Sequence, residues 1–459
     1  MDRRGFLGAA AGSAAMLSAG CRPAALGRGA RMTDASAWSG APLQKRAQLY
    51  RHYLFDDFLP FHYEHVVDGE YGGFMCSVDR DGTRVADTKS AWYEGRGAWT
   101  FAYLYNHVDP DPRHLETARR SVELILRTRP DEEHFWPRSL SREGEPLQPP
   151  QEPRHNDLYG DCFLAAGIAE AARALGRDEW REVARQILRK CVRIYDRDDF
   201  CPDDRSWLGD EAPPITGMRT ISAWMLFLWV GQALLEGGPG NSVGDDEVEA
   251  IVTRSIEAVL DSHYNEEIGL INEVVGHDMQ RAGGAYDQFV APATVNETLW
   301  MVLGHAVRRG DAALLERSAT QLRRHLEFGW DYVYGGVYMN CHSVEDNRWD
   351  HHRKGLWAQV ETLNALQLLV EHTDLGWAHE WYARLSAYVL EKWPADQYGA
   401  PLWLDYTDRK VTFEPHWTRA DVLHYPRHLM HTIRSMERLQ AASDRPLLSV
   451  SFPGEGAGP

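Results

Sequence analysis

The sequence predicts an all-α fold, a barrel of paired helices with short β-hairpin loops around one mouth. Two observations predict it. One is a repeated motif with a glycine-rich entry and a charged exit. The other is the helical spacing of apolar residues behind each copy. The motif opens at Asp68-Gly69-Glu70-Tyr71-Gly72-Gly73-Phe74 and passes a polar turn at Asp79-Arg80-Asp81-Gly82. It exits at Lys89-x-x-Trp92-x-x-x-Arg96. It recurs at Asp331-Tyr332-Val333-Tyr334-Gly335-Gly336-Val337, followed by Lys354-x-x-Trp357-x-x-x-Glu361. Internal copies at long period mark stacked, self-similar units.

Two fainter copies fit the same template. One runs from Tyr264-Asn265-Glu266-Glu267-Ile268-Gly269-Leu270 to Glu297 and Trp300. The other runs from Asp396-Gln397-Tyr398-Gly399, through Asp405-Tyr406-Thr407-Asp408, to His424. A glycine-containing aromatic entry suits a hairpin or tight turn. The segment behind the exit is helical. From Lys354 to Leu369 the apolar residues are Leu356, Val360, Leu363, Leu366, Leu368 and Leu369, a broad buried face. Val183–Val192 and Ile251–Leu260 read the same way. Such helix pairs bury their faces against neighbouring pairs. Closing the row into a ring gathers the hairpins and the N-terminal ends of the inner helices at one mouth, and an open solenoid is the alternative. No Gly-x-Gly-x-x-Gly opens a βαβ unit, so a dinucleotide-binding fold is disfavoured and no redox cofactor is expected.

The 459 residues carry a net charge of −18, which excludes duplex nucleic acid and anionic lipid as natural partners. The 17 Trp and 19 Tyr supply rings that suit either a core or the C–H faces of a sugar. Residues 1–35 read as an export signal and tether. Arg3-Arg4 before the apolar run Gly8–Gly20 resembles a twin-arginine signal, and Leu17-Ser18-Ala19-Gly20-Cys21 resembles a lipoprotein site. The expectation is an exported chain, periplasmic or anchored by lipid at Cys21, with the barrel in 36–445 and a tail in 446–459. The six cysteines form no C-x-x-C pair and imply no disulfide framework.

The chain resembles the N-acylglucosamine 2-epimerase family, which includes cellobiose 2-epimerases and aldose–ketose isomerases. The likeness spans about Leu43 to Leu439. It rests on the order of Gly72-Gly73-Phe74, Trp92-x-x-x-Arg96, Leu158-Tyr159-Gly160-Asp161-Cys162-Phe163, Pro292-x-x-x-x-Glu297-x-x-Trp300, Lys354-x-x-Trp357-x-x-x-Glu361 and His424-x-x-Arg427. The resemblance implies an (α/α)6 barrel. It also implies a mono- or oligosaccharide substrate and proton abstraction next to the sugar carbonyl.

That chemistry needs a base near neutral pH and a donor for the enediolate oxygen. The resemblance makes His424 the candidate base or acid. Arg96 is the candidate enediolate stabiliser, unless it only pairs with an acidic neighbour such as Glu361. Glu361 is expected to orient a histidine or hold hydroxyls. Trp92, Trp300, Trp357, Arg427 and Thr294 are candidate substrate contacts. The family carries a second catalytic histidine three residues before the glutamate of the Pro292 motif, where this chain has Thr294. Three readings stay open: Glu297 as second base, His424 alone as a one-base isomerase through a cis-enediolate, or changed chemistry. His277 is a further candidate from a loop. His351-His352 beside Asp350 hints at a metal, but no third ligand is apparent and none is expected. Two rival functions remain. One is a glycoside hydrolase or lyase with Glu297 and Glu361 facing each other as acid and base. The other is a non-catalytic carbohydrate-binding protein. The assembly is expected to be a monomer or a homodimer.

Overall fold

The computed structural model describes residues 41–149, 158–201, 215–236, 245–350, 354–396, 399–407, 419–441 and 448. Arg3-Arg4, Cys21, the whole 1–35 segment and His351-His352 lie outside the described residues. Among the described residues no helix is long and apolar enough to cross a membrane, and Cys76, Cys162, Cys191 and Cys341 are free thiols.

Among the described residues twelve helices alternate between an outer and an inner layer. The outer ones are α1 (Ala41–His52, prolonged by π-helical turns to Val66), α3 (Pro112–Leu126), α5 (Asp178–Tyr195), α7 (Asp246–Glu257), α9 (Ala312–Gly329) and α11 (Gly376–Lys392). The inner ones are α2 (Ala91–His107), α4 (Leu158–Leu175), α6 (Ile221–Leu235), α8 (Pro292–Arg309), α10 (Leu356–His372) and α12 (His424–Ala441). Each inner helix packs on the next, from α2 to α12, and α12 returns to α2. Tyr93 Oη donates to Ala420 O and Thr100 Oγ1 donates to Val422 O, both at 2.7 Å, so side chains of α2 bind the segment that leads into α12. The ring is closed, and the solenoid is ruled out.

The sequence explains the layering. The α6 run Ile-Ser-Ala-Trp-Met-Leu-Phe-Leu-Trp-Val is apolar on every side and almost wholly buried, as an inner helix must be. The α5 helix is amphipathic, with Trp180, Ala184, Ile187, Leu188 and Cys191 buried on one face. Pro292 starts α8 at its first turn, and Gly310 ends it in the left-handed region. Between α2 and α4 the backbones touch. A Cβ on Gly95 would lie 2.4 Å from Leu164 N, so only glycine fits.

Among the described residues ten short strands lie at the mouth, and their pairing departs from expectation. Only β4 (Tyr264–Asn265) with β5 (Leu270–Ile271), and β7 (Asn340–Ser343) with β8 (Arg348–Asp350), are local hairpins. The others pair across a whole helix pair. They join β1 (Thr88–Ser90) to β2 (Ser139–Ser141), β3 (Arg219–Thr220) to β6 (Val274–Val275), and β9 (Lys354–Gly355) to β10 (Tyr406–Thr407). Each such pair ties the lead-ins of two successive inner helices, so the six units are linked two by two around the mouth.

The repeat is a real structural unit. Lys89 Nζ lies 3.0 Å from Asp68 Oδ2 and donates to Gly72 O, and Lys354 Nζ lies 3.0 Å from Asp331 Oδ2 and donates to Gly335 O. Gly72, Gly73, Gly335 and Gly336 all have positive φ, which the glycine pairs permit. Glu94 Oε1 accepts the Phe74 N–H at 2.9 Å, and Gln359 Oε1 accepts the Val337 N–H at 2.8 Å. The buried lysine therefore locks each glycine turn onto the helix that carries the site residues one and two turns further on.

Candidate active site

Four inner helices present the predicted residues from their N-terminal halves. Helix α2 carries Trp92 and Arg96, α8 carries Thr294, Glu297 and Trp300, α10 carries Trp357 and Glu361, and α12 carries His424 and Arg427. Spacings of three and four keep each set on one helix face. Asp421 fixes the start of α12. Its Oδ1 accepts the N–H groups of Leu423 and His424, and its Oδ2 accepts that of Tyr425 at 2.6 Å. His424 therefore stands in the first turn, at the mouth.

His424, Glu297 and Glu361 come together within 4.8 Å. His424 Nδ1 lies 2.9 Å from Glu361 Oε1 and 3.8 Å from Glu297 Oε1. A carboxylate accepts only, so an Nδ1–H points at Glu361, and Nε2 is the ring nitrogen outside these contacts. The cation between the carboxylates is Arg427. Its Nη2 donates to Glu297 Oε1 and to Glu361 Oε1, both at 2.6 Å. The second oxygen of Glu361 is also engaged, by Trp300 Nε1 at 2.8 Å and Asn364 Nδ2 at 3.0 Å. Burial pushes the Glu361 carboxyl up, but Arg427 and His424 outweigh it and hold it well below the usual carboxylate range. Glu361 is an ionised, fully bonded anchor under the imidazole.

Arg96 completes the mouth. Its guanidinium lies between the rings of Trp92 and Phe163, 4.4 and 4.2 Å from their centroids. Among the described residues it forms no ion pair, and its buried Nε has no hydrogen-bond partner. Its charged neighbours include Arg419, Asp421, Glu297 and Arg427, which places it beside the cluster. Burial and Arg419 lower it to about 10, so it remains a cation at neutral pH.

Three expectations change. Arg427 is a positioning residue, not a substrate contact, because it is fully buried and bound to both glutamates. Trp300 has its N–H committed to Glu361 and is likewise part of the support. Glu361 does not pair with Arg96, and its engaged oxygens leave it no free face for a glycosidic oxygen, contrary to the hydrolase arrangement. Trp92 and Trp357 stay half-buried, with the Trp357 ring 6.0 Å from that of His424. Thr294 is half-buried one turn before Glu297. His277 Nδ1 meets Arg219 Nη2 at 2.5 Å and stands outside the cluster. Asn364 and Asp421 went unassigned in the sequence. The i, i+3 spacing from Glu361 points to the first, and the helix-start position points to the second.

Comparison with known proteins bears on the family and the fold. An N-acylglucosamine 2-epimerase from Bos taurus is 23% identical over 372 residues, 77% of this chain and 82% of that protein. The cellobiose 2-epimerase of Bacillus thermoamylovorans B4167 shares the fold, with a TM-score of 0.69 at 15% identity over 86% of this chain and all of that one. A D-mannose isomerase gives a TM-score of 0.65 at 15% identity over 87% and 98%. The model of the N-acylglucosamine 2-epimerase family matches residues 72–425, most of the chain. The chain therefore belongs to the N-acylglucosamine 2-epimerase family, and with it to the carbohydrate epimerases and isomerases.

Proposed function

We propose that this chain is a one-base aldose–ketose isomerase acting on a reducing sugar. One observation carries the reading: a single imidazole, His424, stands over the carboxylates, and Thr294 occupies the place of a second histidine. His424 Nε2 takes the proton from C2. The electrons pass through C1 to the carbonyl oxygen and form a cis-enediolate. The same imidazole returns the proton to C1, and the hydroxyl proton of O2 passes to O1, so the aldehyde becomes a ketone at C2. Glu361 holds the ring orientation and stabilises the imidazolium. The Arg96 guanidinium faces the enediolate charge. Trp92 and Trp357 offer ring faces to the pyranose. A two-base 2-epimerase needs an acid on the opposite face, and Thr294 does not titrate in that range.

The test is NMR of aldohexoses and their disaccharides with enzyme in heavy water. The expected result is a ketose with deuterium at C1. A C2-inverted aldose as the main product overturns the one-base reading, and no exchange on any sugar overturns proton abstraction.

Export rests on Arg3-Arg4 and Cys21 alone. Labelled palmitate should enter the wild-type chain in bacterial cells and not Cys21→Ser. Equal labelling, or none, removes the lipid anchor from the proposal.

A further inference from the structure

The C-terminal halves of all six inner helices enclose a second cavity of about 350 Å³ on the barrel axis. The catalytic groups stand on the N-terminal halves, so the cavity occupies the other end of the barrel. A layer of Trp229, Arg427 and Trp300 separates the two. The guanidinium carbon of Arg427 lies 5.4 and 5.2 Å from the two indole centroids.

The volume suits a monosaccharide-sized ligand. Trp99 and Tyr103, stacked at 4.7 Å, form one wall. The charges are distributed unevenly. Each lining carboxylate is held by a guanidinium: Glu170 by Arg173, Glu236 by Arg308, and Glu371 by Arg438. Arg434 has no carboxylate partner among the described residues and donates only to Tyr103 Oη. Gln367 is buried in the wall, and its Nε2 has no hydrogen-bond partner. A buried amide without a partner is uncommon and points to a missing one.

Gly304 adds an independent observation. It stands inside α8, lines the cavity, and a Cβ there would meet nothing closer than 3.9 Å. Close packing does not require this glycine, and a glycine within a helix is unfavourable by roughly 1 kcal/mol relative to Ala. Its effect is to keep the space open.

We propose that this axial cavity binds a small hydroxylated anion, of the sugar-acid or sugar-phosphate kind, with Arg434 as its counter-charge. Trp99 and Tyr103 cover its carbon face. Among the described residues Arg434 is the one lining arginine that no carboxylate pairs with, so the anionic group selects it.

The test is calorimetric titration of the full chain with gluconate, glucose 6-phosphate and neutral glucose. One anion should bind at millimolar concentration or below, more tightly than glucose. Arg434→Gln should weaken it at least tenfold, Gly304→Leu should abolish it, and Arg96→Ala at the mouth should leave it unchanged. Leucine favours the helix, so an unchanged unfolding midpoint separates a filled cavity from a misfolded chain. Five results overturn the proposal: no binding of either anion, binding of glucose as tight as theirs, binding unchanged in Arg434→Gln, binding that survives Gly304→Leu, or binding that fails with Arg96→Ala. None of these bears on the isomerase reading, which is measured at the other mouth.

Discussion

His424 Nδ1 lies 2.9 Å from Glu361 Oε1, and this contact decides which ring nitrogen faces the mouth. With Nδ1–H given to the carboxylate, Nε2 is the nitrogen that the proposed mechanism uses as its base. His424→Gln should lower kcat by about 10² to 10⁴, the usual worth of a positioned general base. Glutamine keeps an N–H donor for Glu361, so the fold should survive, with little change in Tm. Full turnover by the variant in the NMR assay places the base elsewhere.

Removing Arg427 tests whether it supports the cluster. Arg427→Met leaves Glu297 and Glu361 facing each other without their shared cation. Breaking one partner of a buried pair costs roughly 3–5 kcal/mol. The Tm should fall steeply, and adding Glu361→Gln should recover part of the loss. The Glu361 carboxyl is depressed below 4.5 in the folded chain. Its stabilisation is therefore fully present above about pH 4.5 and lost as pH falls further. Arg427→Met should weaken that acid dependence. A variant as stable as wild type would mean Arg427 does not hold the carboxylates.

Much of this was legible in the sequence. The Lys-x-x-Trp exits marked two inner helices, and their spacing put Arg96 and Glu361 at equivalent positions. His424, Glu297 and Glu361 were named separately and meet in space. Arg427 was misread for a physical reason: spacing tells which helix face a charge occupies, not whether solvent or another helix lies opposite. Trp300 failed the same way. The long-range strand pairs were illegible because strands of two or three residues carry no alternation to read. The axial cavity was invisible too, since it depends on how the C-terminal halves of six separate helices face one another.

Glu94 and Gln359 occupy the same place in two copies of the repeat, both accepting a backbone N–H from the glycine turn. Burial lifts the Glu94 carboxyl to about 7, with Lys89 offsetting part of the rise. The folded chain thus holds a proton there that the unfolded chain releases near 4.5. Stability is lost as pH rises from about 4.5 through 7, by up to roughly 3 kcal/mol. Glu94→Gln should raise Tm at pH 8 and change it little at pH 4. Gln359 shows that an amide serves this position. Thermal scans at the two pH values check the sign, and a lower Tm at pH 8 would contradict it.

Thr294→His tests the missing second base by supplying it. Thr294 is half-buried in the first turn of α8, one turn before Glu297. An imidazole there projects from the same helix face toward the cluster. Thr294 donates no side-chain hydrogen bond among the described residues, so little is lost by replacing it. On the one-base proposal the wild type returns its proton to the face it came from. A second imidazole across the sugar can deliver a proton to the opposite face of C2. The variant should therefore yield C2-inverted aldose as a new product, with deuterium at C2, while ketose formation falls several-fold. Thr294→Val should give neither change. If Thr294→His folds normally and its products match wild type, residue 294 does not choose between isomerisation and epimerisation, and the one-base reading loses its main support.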